Sequence, residues 1–183
     1  MSAESDAVQR AMAGDHEAFS RLAERSMGKL YRSAILILRN RDEAEEAVQE
    51  AIIRAWRWLP TLRDPQKFDG WLYRLLVHAC QDEVRKRDRA LRHFDSGHIE
   101  RGRDQLAAIL DNEELDEPLS RLTPDQRAVL VLVYYLGFSL RDAAPVLGIR
   151  VGTLKSRLHR SLRALQSDLT RNRPDGTKQE VIR

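Results

Sequence analysis

The chain has 183 residues, with 31 Lys or Arg against 28 Asp or Glu, so a net charge of +3 rides on a sequence that is 32% charged and 42% apolar. That length allows one or two compact domains. The single cysteine, Cys80, excludes an intrachain disulfide framework and a thiolate-rich zinc site, and no run approaches the roughly 20 apolar residues of a membrane span.

The N-terminal stretch MSAESDAVQRAMAGD has neither a basic start nor an apolar run, so the protein is expected to be soluble, cytoplasmic and without membrane insertion. The first helix is expected over about 15–39, capped by Asp15, with Phe19, Leu22, Leu30, Ala34, Ile35 and Leu38 recurring at spacings of three and four. A second begins at Asp42, where Asp42, Glu43, Glu45 and Glu46 favour the positive end of the helix dipole, and Pro60 ends it. A third runs from about Phe68 to Arg87, with Trp71, Leu72, Leu75, Leu76, Ala79 and Val84 inward and a basic end. No strand-like alternation is present.

Between Asp88 and Glu117 the composition shifts to nine acidic residues against four basic, with little periodicity, and reads as a linker. Helical patterning returns in shorter units from Thr123 to about Leu136, Ser139 to Leu147 and Val151 to about Leu169, before a tail with no apolar stripe, expected to be disordered. The expected fold is all-α: two small helical domains, 1–90 and 118–171, joined by a flexible acidic linker at 91–117 and followed by a tail at 172–183.

The segment SLRDAAPVLGIRVGTLKSRLHRSL carries the grammar of a helix-turn-helix. Ser139 and Asp142 form a capping-box-like start, Gly148 supplies a turn needing positive φ, and Leu140, Ala143, Leu147, Ile149, Leu154 and Leu158 hold two helices together. Thr123-Pro124-Asp125-Gln126 caps a supporting helix upstream. From Arg150 to Arg163 there are five basic residues and no acid, the charge a duplex-binding helix needs. Lys155, Ser156, His159 and Arg160 share one exposed face and are the candidate base readers, with Thr153 and Arg157 suited to phosphate. Pro145 lies inside the first helix of the pair, where it lacks an N–H and clashes with the carbonyl of Arg141, so that helix is expected to be short or kinked.

In the N-terminal half, RDEAEEAVQEAIIRAW leaves Glu46, Gln49 and Glu50 facing outward. An anionic helix repels DNA and suits a basic protein partner. The following helix sets Arg74, Arg85, Lys86, Arg87, Arg89 and Arg92 beside Trp71, Tyr73 and His78, the basic and aromatic mixture that unstacked single strands require.

Together these segments resemble the extracytoplasmic-function sigma factors of bacterial RNA polymerase. DEAEEAVQEAIIRAW is similar to the family's core-binding helix, FDGWLYRLLVHACQDEVRKR to its promoter-melting helix, and LTPDQRAVLVLVYYLGFSLRDAAPVLGIRVGTLKSRLHRSL to its minus-thirty-five-binding domain, with VGTLKSRLHR the most specific match. The resemblance implies a factor that binds the core enzyme through its beta and beta-prime subunits and directs initiation at promoter DNA, under control of an anti-sigma factor. It assigns Asp42, Glu46, Gln49 and Glu50 to the polymerase, and Trp71, Tyr73, Arg74, His78, Arg85, Lys86 and Arg87 to the minus-ten element. Thr153, Lys155, Ser156, Arg157, His159 and Arg160 fall to the minus-thirty-five element. Two departures stand out: family members commonly carry Asn where this chain has His78, and Pro145 replaces a helix-friendly residue.

Two other readings compete. A dimeric helix-turn-helix regulator explains the C-terminal half but not the acidic helix followed by an aromatic-basic one. An enzyme would have to use His93 and His98, yet no phosphate loop, metal-ligand motif or nucleophile-base pair accompanies them, so no catalysis, metal or cofactor is expected.

Overall fold

A computed structural model describes residues 3–93 and 116–171. Most of the expected linker and all of the tail at 172–183, together with His98, lie outside the described residues. Four helices come from the N-terminal half: α1 (Ala3–Met12), α2 (His16–Leu38), α3 (Arg41–Trp58) and α4 (Phe68–His93), with single 3-10 turns at Leu59–Thr61 and Pro65–Lys67 between the last two. The C-terminal half gives α5 (Asp116–Ser120), α6 (Pro124–Leu130), α7 (Leu140–Val146) and α8 (Val151–Arg171). No strand occurs among the described residues.

Local chemistry sets most boundaries. The Asp15 carboxylate accepts from the N–H of Ala18 at 2.9 Å, which satisfies one of the orphan donors at the start of α2 and lowers the Asp15 pKa below its ordinary value. Arg39, left-handed at φ 58°, ends that helix with its N–H on the carbonyl of Ile35. The sequence places the start of α3 at Asp42. Instead Asn40 is the cap, its side-chain oxygen accepting from the N–H of Glu43 at 3.1 Å, and the helix opens at Arg41. Thr123 and Gln126 form a complete capping box at α6. That helix does not run evenly to Leu136: Val131–Tyr135 forms a π turn, in which the N–H of Leu136 reaches back to Val131 at 2.9 Å.

Alanine governs packing in the first bundle. Along α3, Ala44, Ala47, Ala51 and Ala55 are fully buried with Val48 nearly so, and such small side chains let α2 and α4 approach closely. Leu30, Leu38, Leu59, Leu72 and Leu76 fill the space between. In the second bundle Val129, Leu132, Ala143 and Leu154 form the centre.

The two bundles are packed on one another, and their buried residues form one continuous core. Arg127 of α6 joins them. It is buried, and its guanidinium donates from Nε to the carbonyl of Ile37 at the end of α2, and from Nη1 to those of Leu119 and Leu122. A helix C-terminus leaves its last carbonyls unpaired and slightly negative, which is what a buried cation requires. Phe138, after the π turn, sits edge-on to Tyr73 of α4, ring centroids 5.7 Å apart.

Candidate nucleic-acid interface and partner-binding helix

Gly148 adopts φ +65° between α7 and α8, the conformation that glycine takes without strain. Ser139 caps α7 through the N–H of Asp142 at 3.2 Å. Pro145 is on the exposed side of a seven-residue α7. It therefore interrupts one turn of a helix too short to lose much, while Ala143, Ala144 and Val146 keep the inner face packed. The turn aims α8 outward.

On α8, Leu154 and Ser161 are fully buried and Leu158, Leu162 and Leu165 half-buried. Lys155, Ser156, His159 and Arg160 are all exposed on the opposite side, with Thr153 beside them. Ser156 and Arg160 return hydrogen bonds to the carbonyls of Gly152 and Ser156, so neither side chain is engaged by another element. Arg157 differs: it is half-buried and its Nη1 meets Asp125 Oδ2 of α6 at 3.0 Å. That ion pair braces α8 against the supporting helix.

The basic and aromatic groups of α4 do not form one surface. Arg85 pairs with Asp82 at 2.8 Å and Lys86 with Glu83 at 2.7 Å, while Arg87 reaches Glu43 of α3 at 3.0 Å. Burial raises the Glu43 pKa above its ordinary value against the lowering influence of Arg87. The run that reads as free positive charge in the sequence is thus largely neutralised by carboxylates one turn away or across the helix pair. Tyr73 is only 8% exposed, and burial pushes its phenol up to about 12. It is a core residue between the bundles here, not an exposed stacking platform.

Trp71, Arg74 and His78 remain toward the outside. Trp71 is half-buried, tilted against Phe68 at 6.1 Å. Trp71 and Arg74 line a cleft of about 1270 Å³ between the bundles, which Arg32, Arg63, Lys67 and Arg141 also face. Sequence reading missed Arg63 and Lys67: they belong to the irregular RDPQK stretch before α4, where no periodicity marks a face. Burial first, and then Arg74, lowers the pKa of His78, so its imidazole is neutral at pH 7.

On α3, Asp42, Glu46 and Gln49 share one exposed face with Ile53 and Trp56 further along it. Glu50 points to the edge of that face, where its carboxylate holds Arg54 at 2.6 Å. Arg54 in turn reaches Asp82 of α4 at 2.9 Å. Part of Glu50 is therefore spent on fastening α3 to α4.

The comparisons bear on both halves. Residues 22–90 match the family model described as sigma-70 region 2, and residues 112–165 match that of sigma-70 region 4. The sequence is 34% identical over 150 residues to the ECF RNA polymerase sigma factor SigM of Mycobacterium tuberculosis, covering 82% of this chain and 76% of that one. The fold is similar to that of CnrH in complex with the cytosolic domain of CnrY, at TM-score 0.71 and 25% identity over 93% of this chain and 99% of that chain. It is also similar to sigma factor RpoE in complex with the anti-sigma factor NepR from Bartonella quintana, at TM-score 0.67 and 28% identity, covering 85% and 98%.

Proposed function

Because the chain belongs to the ECF RNA polymerase sigma factors, which bind the core enzyme and direct promoter-specific initiation, we propose that this work is divided among three helices. Residues 1–90 serve as the region that grips core polymerase and opens the minus-ten element, and residues 118–171 as the minus-thirty-five reader.

The observation that carries the reading is the outer face of α8. Lys155, Ser156, His159 and Arg160 stand exposed there, backed by buried Leu154, on a helix with no carboxylate from Arg150 to Arg163. Their charge supplies affinity and their donors reach base edges in a major groove. Thr153 contacts phosphate from the start of the helix. Arg157 does so once it leaves Asp125.

The anionic face of α3, through Asp42, Glu46, Gln49 and the remaining capacity of Glu50, meets a basic surface of the core enzyme. Trp71, Arg74, Arg63 and Lys67, which line the cleft, receive the opened minus-ten strand together with His78. Arg85, Lys86 and Arg87 contribute to its backbone only as far as their carboxylate partners release them. Tyr73 supports that surface from beneath.

The protein performs no bond chemistry of its own and works in the cytoplasm, where polymerase and DNA are. Among the described residues no helix is long and apolar enough to cross a membrane. The complex of RpoE with an anti-sigma factor supports the same kind of control here. Tethering two modest DNA contacts on one polymerase raises the effective concentration of each, so neither half needs high affinity alone.

Run-off transcription with purified core polymerase on a genomic fragment library tests the reading. Discrete start sites that require this chain are expected. A dimer that binds operator DNA tightly without polymerase, and gives no such starts, would overturn it.

A further inference from the structure

Helix α3 places two of its large apolar side chains outside the stripe that serves its own core. Its buried stripe is Ala44, Ala47, Val48, Ala51 and Ala55, with Ile52 packed beside it, whereas Ile53 is 53% exposed and Trp56 36% exposed on the outer face. Lone exposed apolar residues are ordinary on protein surfaces. These two are neighbours, three residues apart on one helix, and they continue the line of Asp42, Glu46 and Gln49.

The indole of Trp56 is also held in place. Its ring centroid lies 4.4 Å from that of His16 at an interplanar angle of 36°, and 5.0 Å from that of Phe19 at 56°. Both partners belong to the first turn of α2, fixed by the Asp15 cap. A ring pinned by two others gives up little rotamer freedom when a partner covers it, so more of its burial is realised as affinity.

We infer that Trp56, with Ile53, is the hydrophobic anchor of the contact between this chain and core RNA polymerase, and that the acidic residues along the same face form its polar rim. The inference rests on the assignment of α3 to the polymerase. Charge complementarity and continuity with the anionic face argue for the core enzyme as occupant: one helix surface offers an acidic half that steers a basic partner and an apolar half that retains it. His16 and Phe19 act as positioning residues, since they set the indole without needing to touch the partner.

Binding of the full chain to purified core polymerase, measured by fluorescence anisotropy, tests this with four variants. Trp56→Ala is expected to weaken binding about 30-fold, as a hot-spot residue does, and Ile53→Ser about 5-fold. Glu46→Lys should also weaken it, chiefly through slower association that depends on salt, and Met27→Ser, an exposed apolar change on α2, should leave it within about twofold.

Should Glu46→Lys weaken binding while Trp56→Ala and Ile53→Ser stay within about twofold of the parent, the anchor is overturned and the assignment of α3 stands. Should none of the three matter, the assignment of α3 falls, and the anchor with it. If Trp56→Ala fails to fold by circular dichroism, Ile53→Ser decides the question, because that side chain is mostly in solvent. Phe19→Leu separates touching from positioning: it is expected to weaken binding through faster dissociation, and an unchanged dissociation rate would remove the positioning role.

Discussion

The guanidinium of Arg127 and the carbonyl of Ile37 are 90 residues apart in the chain and 2.6 Å apart in the fold. A cation is buried here because a helix end and two further carbonyls surround it with acceptors, so its desolvation is offset by charge-assisted hydrogen bonds. Arg127→Met keeps most of the stem and removes every donor. Leaving the carbonyls of Ile37 and Leu122 without this donor is expected to cost about 2–3 kcal/mol, read as a lower urea midpoint, whereas that of Leu119 keeps the N–H of Leu122. An unchanged midpoint would show that the carbonyls find other donors.

Thr123 gives a cleaner measure of local stability. Its hydroxyl accepts from the N–H of Gln126, whose side chain accepts from the N–H of Thr123 at 2.9 Å. Thr123→Ala is expected to destabilise the fold by about 1 kcal/mol, and Thr123→Ser by much less. Equal losses from both would place the contribution of Thr123 in its methyl group.

His78 makes stability depend on pH. Burial and Arg74 depress its pKa when folded, whereas in the unfolded chain it titrates near its ordinary value of about 6.5. Above that pH both states are neutral and the group contributes no pH dependence. As pH falls through 6.5 the unfolded chain takes up the proton first, so stability declines until the folded pKa is reached. His78→Asn, which cannot titrate, is expected to flatten this part of the profile, measured as urea midpoints at pH 7.5 and 5.5. Parallel profiles for the two proteins would contradict the assignment.

On α8, Arg160 and Arg163 are both exposed and share one face, but Arg160 lies nearer the start of the helix, the part of it proposed to reach base edges. Arg160→Ala is expected to relax preference at one upstream base pair by about 1–3 kcal/mol. Arg163→Ala should weaken all promoters alike and reduce the salt slope by about one. Holoenzyme binding to a set of single-base promoter variants separates the two patterns.

What the sequence made legible follows from how local each determinant is. The Asp15, Thr123 and Ser139 caps and the Gly148 turn each depend on residues within one helical turn, and all four are present. The outward face of α8 was equally readable, because leucines at helical spacing fix which side is buried. Helix α1 was missed: only Val8 and Ala11 among its apolar residues are fully buried, too few to mark a stripe. The run VLVLVYYL has no 3.6-residue period, so nothing in it announces a π turn. Helix α4 outlasts Arg87 by six residues to His93, past the last buried position that a pattern could detect.

Long-range partners were beyond reach for a different reason. Asp82 and Glu83, which neutralise Arg85 and Lys86, lie one turn away and are local, but Arg87 reads as free positive charge. The carboxylate for Arg87 comes from Glu43, 44 positions earlier. Tyr73 read as a surface aromatic because its cover, Phe138, comes from the other bundle.

The joined core has a consequence for reach. About 150 residues packed as one body have a radius of gyration near 15 Å and so a width of about 40 Å. Elements centred ten and thirty-five base pairs before a start site lie about 85 Å apart along the duplex. The folded-up chain is too narrow to touch both at once. On the proposed assignment of one half to each element, parting Arg127 from Ile37 and Phe138 from Tyr73 is a step that initiation includes, and the grip of polymerase and promoter has to outweigh it.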